Sequence, residues 1–335
     1  MSGYSTGSVR YCLNSTCLLV RWELVFNLPG GFITMQGCVF NQKPIPSELI
    51  GHLTESSLKL DNINELQRRL RDDGYIFLRN ALDLDDAFSA RQEILETLVD
   101  VGEIKTPAIE GIFTGSSRRL ERPEGLGPFW KAVSEGQGIR QLTHGKQLKQ
   151  IMTELFGQES RPHDYIFIRV APVGRATGLH YDYPFFARGS DQIYTVWIAL
   201  GAISIEEGPL IVVQDSTTFL DLIKSSREID YDSTSSPKVM VKMDPISLAK
   251  ERQVKLLTAS FQAGDIVVFG MNTLHGSMDN NSTVGQVRLS CDVRFQPASD
   301  PLDERYFGSD PKGTTGIGYA ELNGAKPLTS SWHQR

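Results

Sequence analysis

Val287-Arg288-Leu289-Ser290-Cys291-Asp292-Val293-Arg294-Phe295 alternates without a break. In an extended chain successive side chains point to opposite faces. Leu289, Cys291, Val293 and Phe295 therefore share one side, and Arg288, Ser290, Asp292 and Arg294 share the other. The apolar side must be buried. The polar side either meets water, as on an antiparallel edge strand, or lines a cavity.

Working outward from this stretch, short strand-like segments follow one another at 164–171, 192–200, 210–213, 256–261 and 265–270. Turn signals such as Glu207-Gly208-Pro209 and Ala263-Gly264-Asp265 separate them. Helices come before them. Asn62 with Glu65 forms a capping arrangement, Leu66 and Leu70 recur at helical spacing, and Asp72-Asp73-Gly74 ends the helix. Tyr75-Ile76-Phe77-Leu78 reads as a buried strand. A second helix is expected over 84–101, with Phe88, Leu95, Leu98 and Val101 on one face. A third ends at Gly157 with Leu148, Ile151, Met152 and Leu155 as its stripe. The stretch 106–127, rich in Gly, Pro and Arg, is expected as a long loop, a lid or substrate loop. The polar stretch 225–237 is expected as a surface insertion. Helices followed by many short strands predict an α+β fold, with the β part a sandwich or jelly roll.

The 335 residues, 40% of them hydrophobic, suffice for one sizeable core. One domain is expected over 35–335, its core spanning about 62–297. Residues 1–34 show no sustained period and are expected to be a poorly ordered leader, with Met35 as a natural start. The net charge is −6 and no block of like charge appears, so neither nucleic acid nor an anionic membrane is expected as partner. Cys12, Cys17, Cys38 and Cys291 form no C-x-x-C pair, which fits a reducing cytoplasm. The apolar run 17–26 is interrupted by Arg21 and Glu23, so it reads as neither a spanning helix nor a signal peptide. A monomer or homodimer is expected.

The chemistry starts at His180-Tyr181-Asp182. On an extended strand the two outer side chains share a face and can grip one metal. A surface ion pair or a capped turn gives the same triplet, so by itself it decides little. His275 follows the apolar run 266–269 and reads either as a polar residue at a strand end or as a third ligand. Two imidazoles and one carboxylate cover one face of an octahedron and leave the opposite positions open, as iron(II) oxygenases require. Catalytic zinc, the rival, is more often tetrahedral with one open position. Arg288, thirteen residues beyond His275, would present a fork suited to a carboxylate if its face lines a cavity.

Taken together, these pieces resemble the phytanoyl-CoA dioxygenase family of 2-oxoglutarate oxygenases. The resemblance runs from about Leu66 to Pro297, and its order is specific. Arg71-Asp72-Asp73-Gly74-Tyr75 comes first, then His180-Tyr181-Asp182, Thr195-Val196-Trp197-Ile198-Ala199-Leu200 and Glu207-Gly208-Pro209-Leu210. His275-Gly276-Ser277, Asn281-Ser282 and Arg288 close the series. The resemblance implies a double-stranded β-helix, or jelly-roll barrel, with supporting N-terminal helices. It implies Fe(II) at His180, Asp182 and His275, with 2-oxoglutarate and O2 as cosubstrates. It implies that Arg288 pairs with the far carboxylate of 2-oxoglutarate and that Ser277 and Trp197 lie beside it. The family's cosubstrate-binding lysine has no matching position.

Tyr183, Phe185, Phe186 and Arg188 directly follow the metal motif. They read either as a substrate-pocket wall with Arg188 receiving an anionic group, or as packing at the barrel mouth. The expected activity is hydroxylation of a C–H bond of a small molecule, with release of succinate and CO2. The C-terminal Trp332-His333-Gln334-Arg335 is not a peroxisomal tripeptide, so a cytoplasmic enzyme with a substrate other than phytanoyl-CoA is expected. Two other classes compete: a jelly roll that binds metal or ligand without turnover, and a cupin-type isomerase or hydrolase. The latter usually has more histidine ligands, and His144 and His163 are the spare candidates. Halogenation needs a small residue in place of the metal-binding carboxylate, and Asp182 argues against it.

Overall fold

The computed structural model describes residues 8–13, 16–21, 37–58, 61–186, 188–229 and 239–313. The chain divides into two units, Met1–Met35 and Gln36–Arg335. Most of the expected leader lies outside the described residues. Within it, Ser8–Leu13 and Thr16–Arg21 pair antiparallel with Cys12 opposite Cys17.

In the second unit, a short antiparallel pair, Val39–Phe40 with Lys43–Pro44, leads into β1 (Ile50–His52) and β2 (Glu55–Ser56). Helix α1 (Ile63–Asp72) starts where the capping residues place it: Asn62 Oδ1 accepts from Glu65 N at 2.9 Å. Its apolar residues Leu66 and Leu70 are buried, and Gly74, at φ +82°, releases the chain into β3 (Tyr75–Leu78). Helix α2 (Leu84–Asp100) is capped by Asp83, whose carboxylate accepts from Asp85 N and Asp86 N. The 106–127 stretch holds only two single helical turns, Ala108–Glu110 and Arg119–Glu121, before α3 begins. α3 (Leu126–Ser134) and α4 (Gln137–His144) were not anticipated, because eight or nine residues span barely two turns and show little period. α5 (Lys146–Phe156) buries the expected stripe and ends on Gly157 at φ +66°.

The strands then follow: β4 (Ser160–Pro162), β5 (Phe167–Ala171), β6 (Thr177–His180), β7 (Tyr194–Ala199) and β8 (Leu210–Val213). After two helices, Leu220–Arg227 and Pro245–Arg252, come β9 (Leu256–Thr258), β10 (Ile266–Gly270), β11 (His275–Ser277) and β12 (Arg288–Pro297). Of the expected insertion 225–237, residues 230–237 lie outside the described residues.

Two sheets result. The larger has the order β2-β3-β10-β7-β12-β4, with β5 also paired to β12; the smaller runs β6-β11-β8-β9-β1. From β5 to β12 the chain passes back and forth between the two sheets, except that β8 and β9 pair with each other in the smaller one; this is the double-stranded β-helix pattern, so the α+β jelly-roll expectation is correct. Val196, Ile198, Leu289, Cys291 and Val293 on the outer face of the larger sheet pack into the same core as Leu95 and Leu98 of α2. Phe77, Trp197, Val267 and Phe269 on its inner face pack with Leu210 and Val212 of the smaller sheet.

This architecture settles the alternation in β12. The strand is paired on both sides, by β7 on one and by β4 and β5 on the other, and all ten of its residues are buried. Its polar face therefore does not meet water. It points into the barrel.

Candidate active site

β6 delivers His180 and β11 delivers His275, and the two stand opposite each other in the antiparallel register. Their rings are 4.3 Å apart between centroids. Asp182 sits two residues beyond β6. The close approach of β11 to β6 needs Gly276, since a Cβ there would lie 2.6 Å from the Thr177 carbonyl oxygen.

Each imidazole is oriented by its own backbone. His180 Nδ1 lies 2.9 Å from the Gly178 carbonyl and His275 Nδ1 lies 3.0 Å from the Thr273 carbonyl. A carbonyl only accepts, so Nδ1 carries the proton in each ring and Nε2 offers its lone pair. Both Nε2 atoms face Asp182 Oδ1, at 3.8 and 3.9 Å. The other carboxylate oxygen is occupied. Thr195 Oγ1 donates to Asp182 Oδ2 at 2.5 Å, and Arg294 Nη2 donates to it at 3.0 Å. One carboxylate oxygen and two imidazole nitrogens thus converge, with candidate ligand atoms of all three residues within 4.8 Å of one another.

The ionisation states suit a cation. Burial, reinforced by neighbouring His275, pushes His180 down to about 3, and burial also lowers His275. Both rings are neutral at pH 7. Burial opposes the charge of Asp182, but Arg294 and the two imidazoles outweigh it and hold the carboxyl well below its ordinary range. A buried anion and two neutral nitrogen donors form the 2-His-1-carboxylate set that suits iron(II) with open positions.

A partly open cavity adjoins this set, and its lining includes His180, His275, Trp197, Ser277, Arg288 and Arg169. The three residues expected beside the cosubstrate therefore meet the metal residues in one space. Ser277 also accepts from Thr177 N at 3.0 Å, which ties β11 to β6. Arg288 is 3% exposed, and no ion pair or side-chain hydrogen bond reaches it among the described residues. Burial, and then the nearby Arg169, hold its guanidinium down at about 10. Arg288 Nε, Ser290 Oγ, Asp292 Oδ1 and Arg294 Nη1 are all buried without a hydrogen-bond partner, and all come from the inward face of β12. Buried polar atoms are nearly always paired. Four orphans on one face mark a place built for a polar ligand.

Three residues here escaped the sequence reading. Arg294 is clamped between the rings of Phe167 and Phe186, 4.6 and 4.4 Å from their centroids, and steadies Asp182. Thr195 shares that carboxylate oxygen. Arg169, from β5, pairs with Asp292 at 2.6 Å. The signal for Arg294 and Asp292 was their place on the Arg288 face; Arg169 and Thr195 stand on other strands, and only the pairing registers bring them in.

The residues after the metal motif divide. Tyr183, Phe185 and Phe186 form a single helical turn, Tyr183–Phe186. Phe186 is 2% exposed and packs on Tyr306 and Arg294, which makes it core. Phe185 is half-buried with its ring 6.3 Å from that of His180. Tyr183 is half-buried beneath Arg227, and Arg188 is exposed. None of the four lines the cavity. His163 and His144, the spare histidines, lie elsewhere: His163 is stacked on Tyr306 and bonded to Gln296, and His144 is bonded to Thr143.

A jelly-roll barrel with this donor set and an inward arginine defines a metal-dependent oxygenase class. The sequence model of the phytanoyl-CoA dioxygenase family matches residues 70–288, about two thirds of the chain, and that span includes the triad and Arg288. The chain belongs to this family. Its cofactor is iron and its cosubstrate is 2-oxoglutarate.

Solved structures similar to the chain include the epimerase SnoN in complex with Fe3+, alpha ketoglutarate and nogalamycin RO. It is 19% identical over 78% of this chain and 89% of that one, with a TM-score of 0.47. EvdO2 from Micromonospora carbonacea var. aurantiaca, complexed with 2-oxoglutarate, is 18% identical over 76% and 100% of the two chains, with a TM-score of 0.47. EctD from S. alaskensis, in its apoform, is 17% identical over 77% and 85%, with a TM-score of 0.45. No curated protein matches the chain. Among the described residues no helix is long and apolar enough to cross a membrane.

Proposed function

We propose that this protein is an iron(II)- and 2-oxoglutarate-dependent hydroxylase acting on a C–H bond of a small molecule. The observation that carries this reading is the buried, unpaired Arg288 in the same cavity as His180 and His275, the two histidines that converge with Asp182. A metal-binding barrel without a keto-acid partner has no use for an uncompensated guanidinium, which costs stability.

In this reading His180 Nε2, His275 Nε2 and Asp182 Oδ1 would hold the iron, and the Arg288 guanidinium would receive the far carboxylate of 2-oxoglutarate. Ser277 and Trp197 wall the cosubstrate. Iron with 2-oxoglutarate supplies oxidation by O2 coupled to decarboxylation to succinate. The protein's part is to orient and to shield. Thr195 and Arg294 occupy the second oxygen of Asp182, which keeps the carboxylate a one-oxygen ligand. Trp197 and Phe269 line the cavity with apolar surface that limits water. The test is succinate release with iron(II), 2-oxoglutarate and a metabolite panel, paired with mass analysis of the metabolite that triggers it. A product 16 mass units heavier is expected for hydroxylation; decarboxylation yielding an epimerised or cyclised product would replace the hydroxylase reading.

A further inference from the structure

Arg169 is the charged group of the cavity to which the proposed reaction gives no task. It projects from β5 in register with Ser290. Its Nε and Nη2 both lie 2.6 Å from one oxygen of Asp292, while Nη1 has no hydrogen bond among the described residues. Its side chain is 28% exposed, whereas Arg288 is 3% exposed and Arg294 2%. Of the two cations lining the cavity, Arg288 is enclosed and Arg169 reaches toward solvent, while Arg294 is buried against Asp182.

The charges do not balance without a further ligand. Arg169 pairs with Asp292 and Arg294 with Asp182, Arg288 has no partner, and each imidazole turns its Nδ1 proton to a backbone carbonyl. Iron(II) and the 2-oxoglutarate dianion cancel each other. One positive charge remains, in a space where desolvated charge needs a partner. Arg288 and Arg294 are enclosed, so the cation that an incoming group can reach is Arg169, which lines the cavity and is 28% exposed.

We infer that Arg169, held from behind by Asp292, receives a carboxylate of the substrate, which is therefore a small monoanion; the inference rests on the iron and 2-oxoglutarate reading above. Asp292 uses a single oxygen on one edge of the guanidinium, which leaves Nη1 free to donate to the incoming group. A cationic substrate would meet net repulsion, and a neutral one would leave the surplus charge unpaired.

The experiment uses the full chain with iron(II) and 2-oxoglutarate under anaerobic conditions, read by the visible charge-transfer band of the chelated keto acid. Benzoate and its neutral isostere benzamide are the probes. Benzoate is expected to perturb the band at a concentration about tenfold lower than benzamide, the equivalent of one carboxylate contact. Arg169→Gln should erase that difference, Arg169→Lys should keep part of it, and 2-oxoglutarate should titrate within about threefold of wild type in both. The double variant Arg169→Gln/Asp292→Asn removes both charges together and serves if the single variant does not fold. Equal or absent responses to the two probes overturn the inference. So does a loss of 2-oxoglutarate affinity of about tenfold or more in Arg169→Gln, which would assign the residue to the cosubstrate. Absence of the band in wild type refutes the 2-oxoglutarate reading itself, before any probe is added.

Discussion

Replacing Arg288 with Met should move stability and cosubstrate affinity in opposite directions. Burial and neighbouring Arg169 hold the guanidinium at about 10, well below the ordinary arginine range. Each pH unit corresponds to about 1.36 kcal/mol, so keeping this proton at pH 7 costs the fold about 3 kcal/mol. The sign follows from the direction of the shift. A base whose folded value is depressed destabilises the fold at every pH below that value, and the cost fades only as pH rises through about 10 toward the ordinary arginine range. Methionine fills similar volume without charge. The ligand-free variant should therefore be more stable than wild type by a few kcal/mol, or several degrees in melting temperature. Its affinity for 2-oxoglutarate should fall by about 10- to 1,000-fold, since hydrogen bonds to charged groups contribute roughly 1.5–3 kcal/mol each. Thermal unfolding with and without 2-oxoglutarate in the presence of an inert divalent metal measures both. Wild type should gain stability from the keto acid by mass action, and the variant should gain little. A variant that is less stable than wild type without ligand and equally stabilised by 2-oxoglutarate would refute the argument, because Arg288 would then be a structural residue with a partner inside the protein.

Alanine at His180, Asp182 or His275 should each abolish iron binding, read by metal content, while circular dichroism shows the fold retained. Asp182→Ala should be the least stable of the three, by about 3–5 kcal/mol in unfolding experiments, because it strands the buried Arg294 charge. Arg294→Lys should weaken divalent-metal binding by about 10- to 100-fold through a loosened Asp182, with the His-only interactions intact; an unchanged metal titration would remove Arg294 from this role. Gly276→Ala should destabilise the protein by roughly 1–3 kcal/mol in denaturant, since its Cβ would press on the Thr177 carbonyl and wedge β11 from β6. Unchanged unfolding would mean that the sheet yields there without cost.

Local patterns were read well where one residue's neighbours in sequence are also its neighbours in space. Asn62, Asp83 and Gly157 act within one helical turn of themselves, so the helix ends they set were legible or nearly so. The expected strand at 210–213 matches the observed Leu210–Val213 because a fully apolar run between turns has few alternatives. The four residues after the metal motif were less readable. Their chemistry suited a pocket wall, but whether Phe186 faces a pocket or the core depends on Tyr306 and Arg294, more than a hundred residues away.

Alternation in β12 determined from sequence alone that its apolar side is buried and that four polar groups share the other. It did not determine whether that other side is wet. Edge and central strands have the same period, and only the pairing of β12 with β7, β4 and β5 turned its polar face into the barrel. The triad followed the same division. Residue type and order nominated His180, Asp182 and His275, while the antiparallel register of β6 and β11 set them opposite each other. The supporting charges were decided by tertiary structure: Arg169 meets Asp292, and Arg294 meets Asp182, across 123 and 112 residues of sequence. A sequence specifies which groups must escape water; only closure of the barrel decides which of them are left to face one another without it.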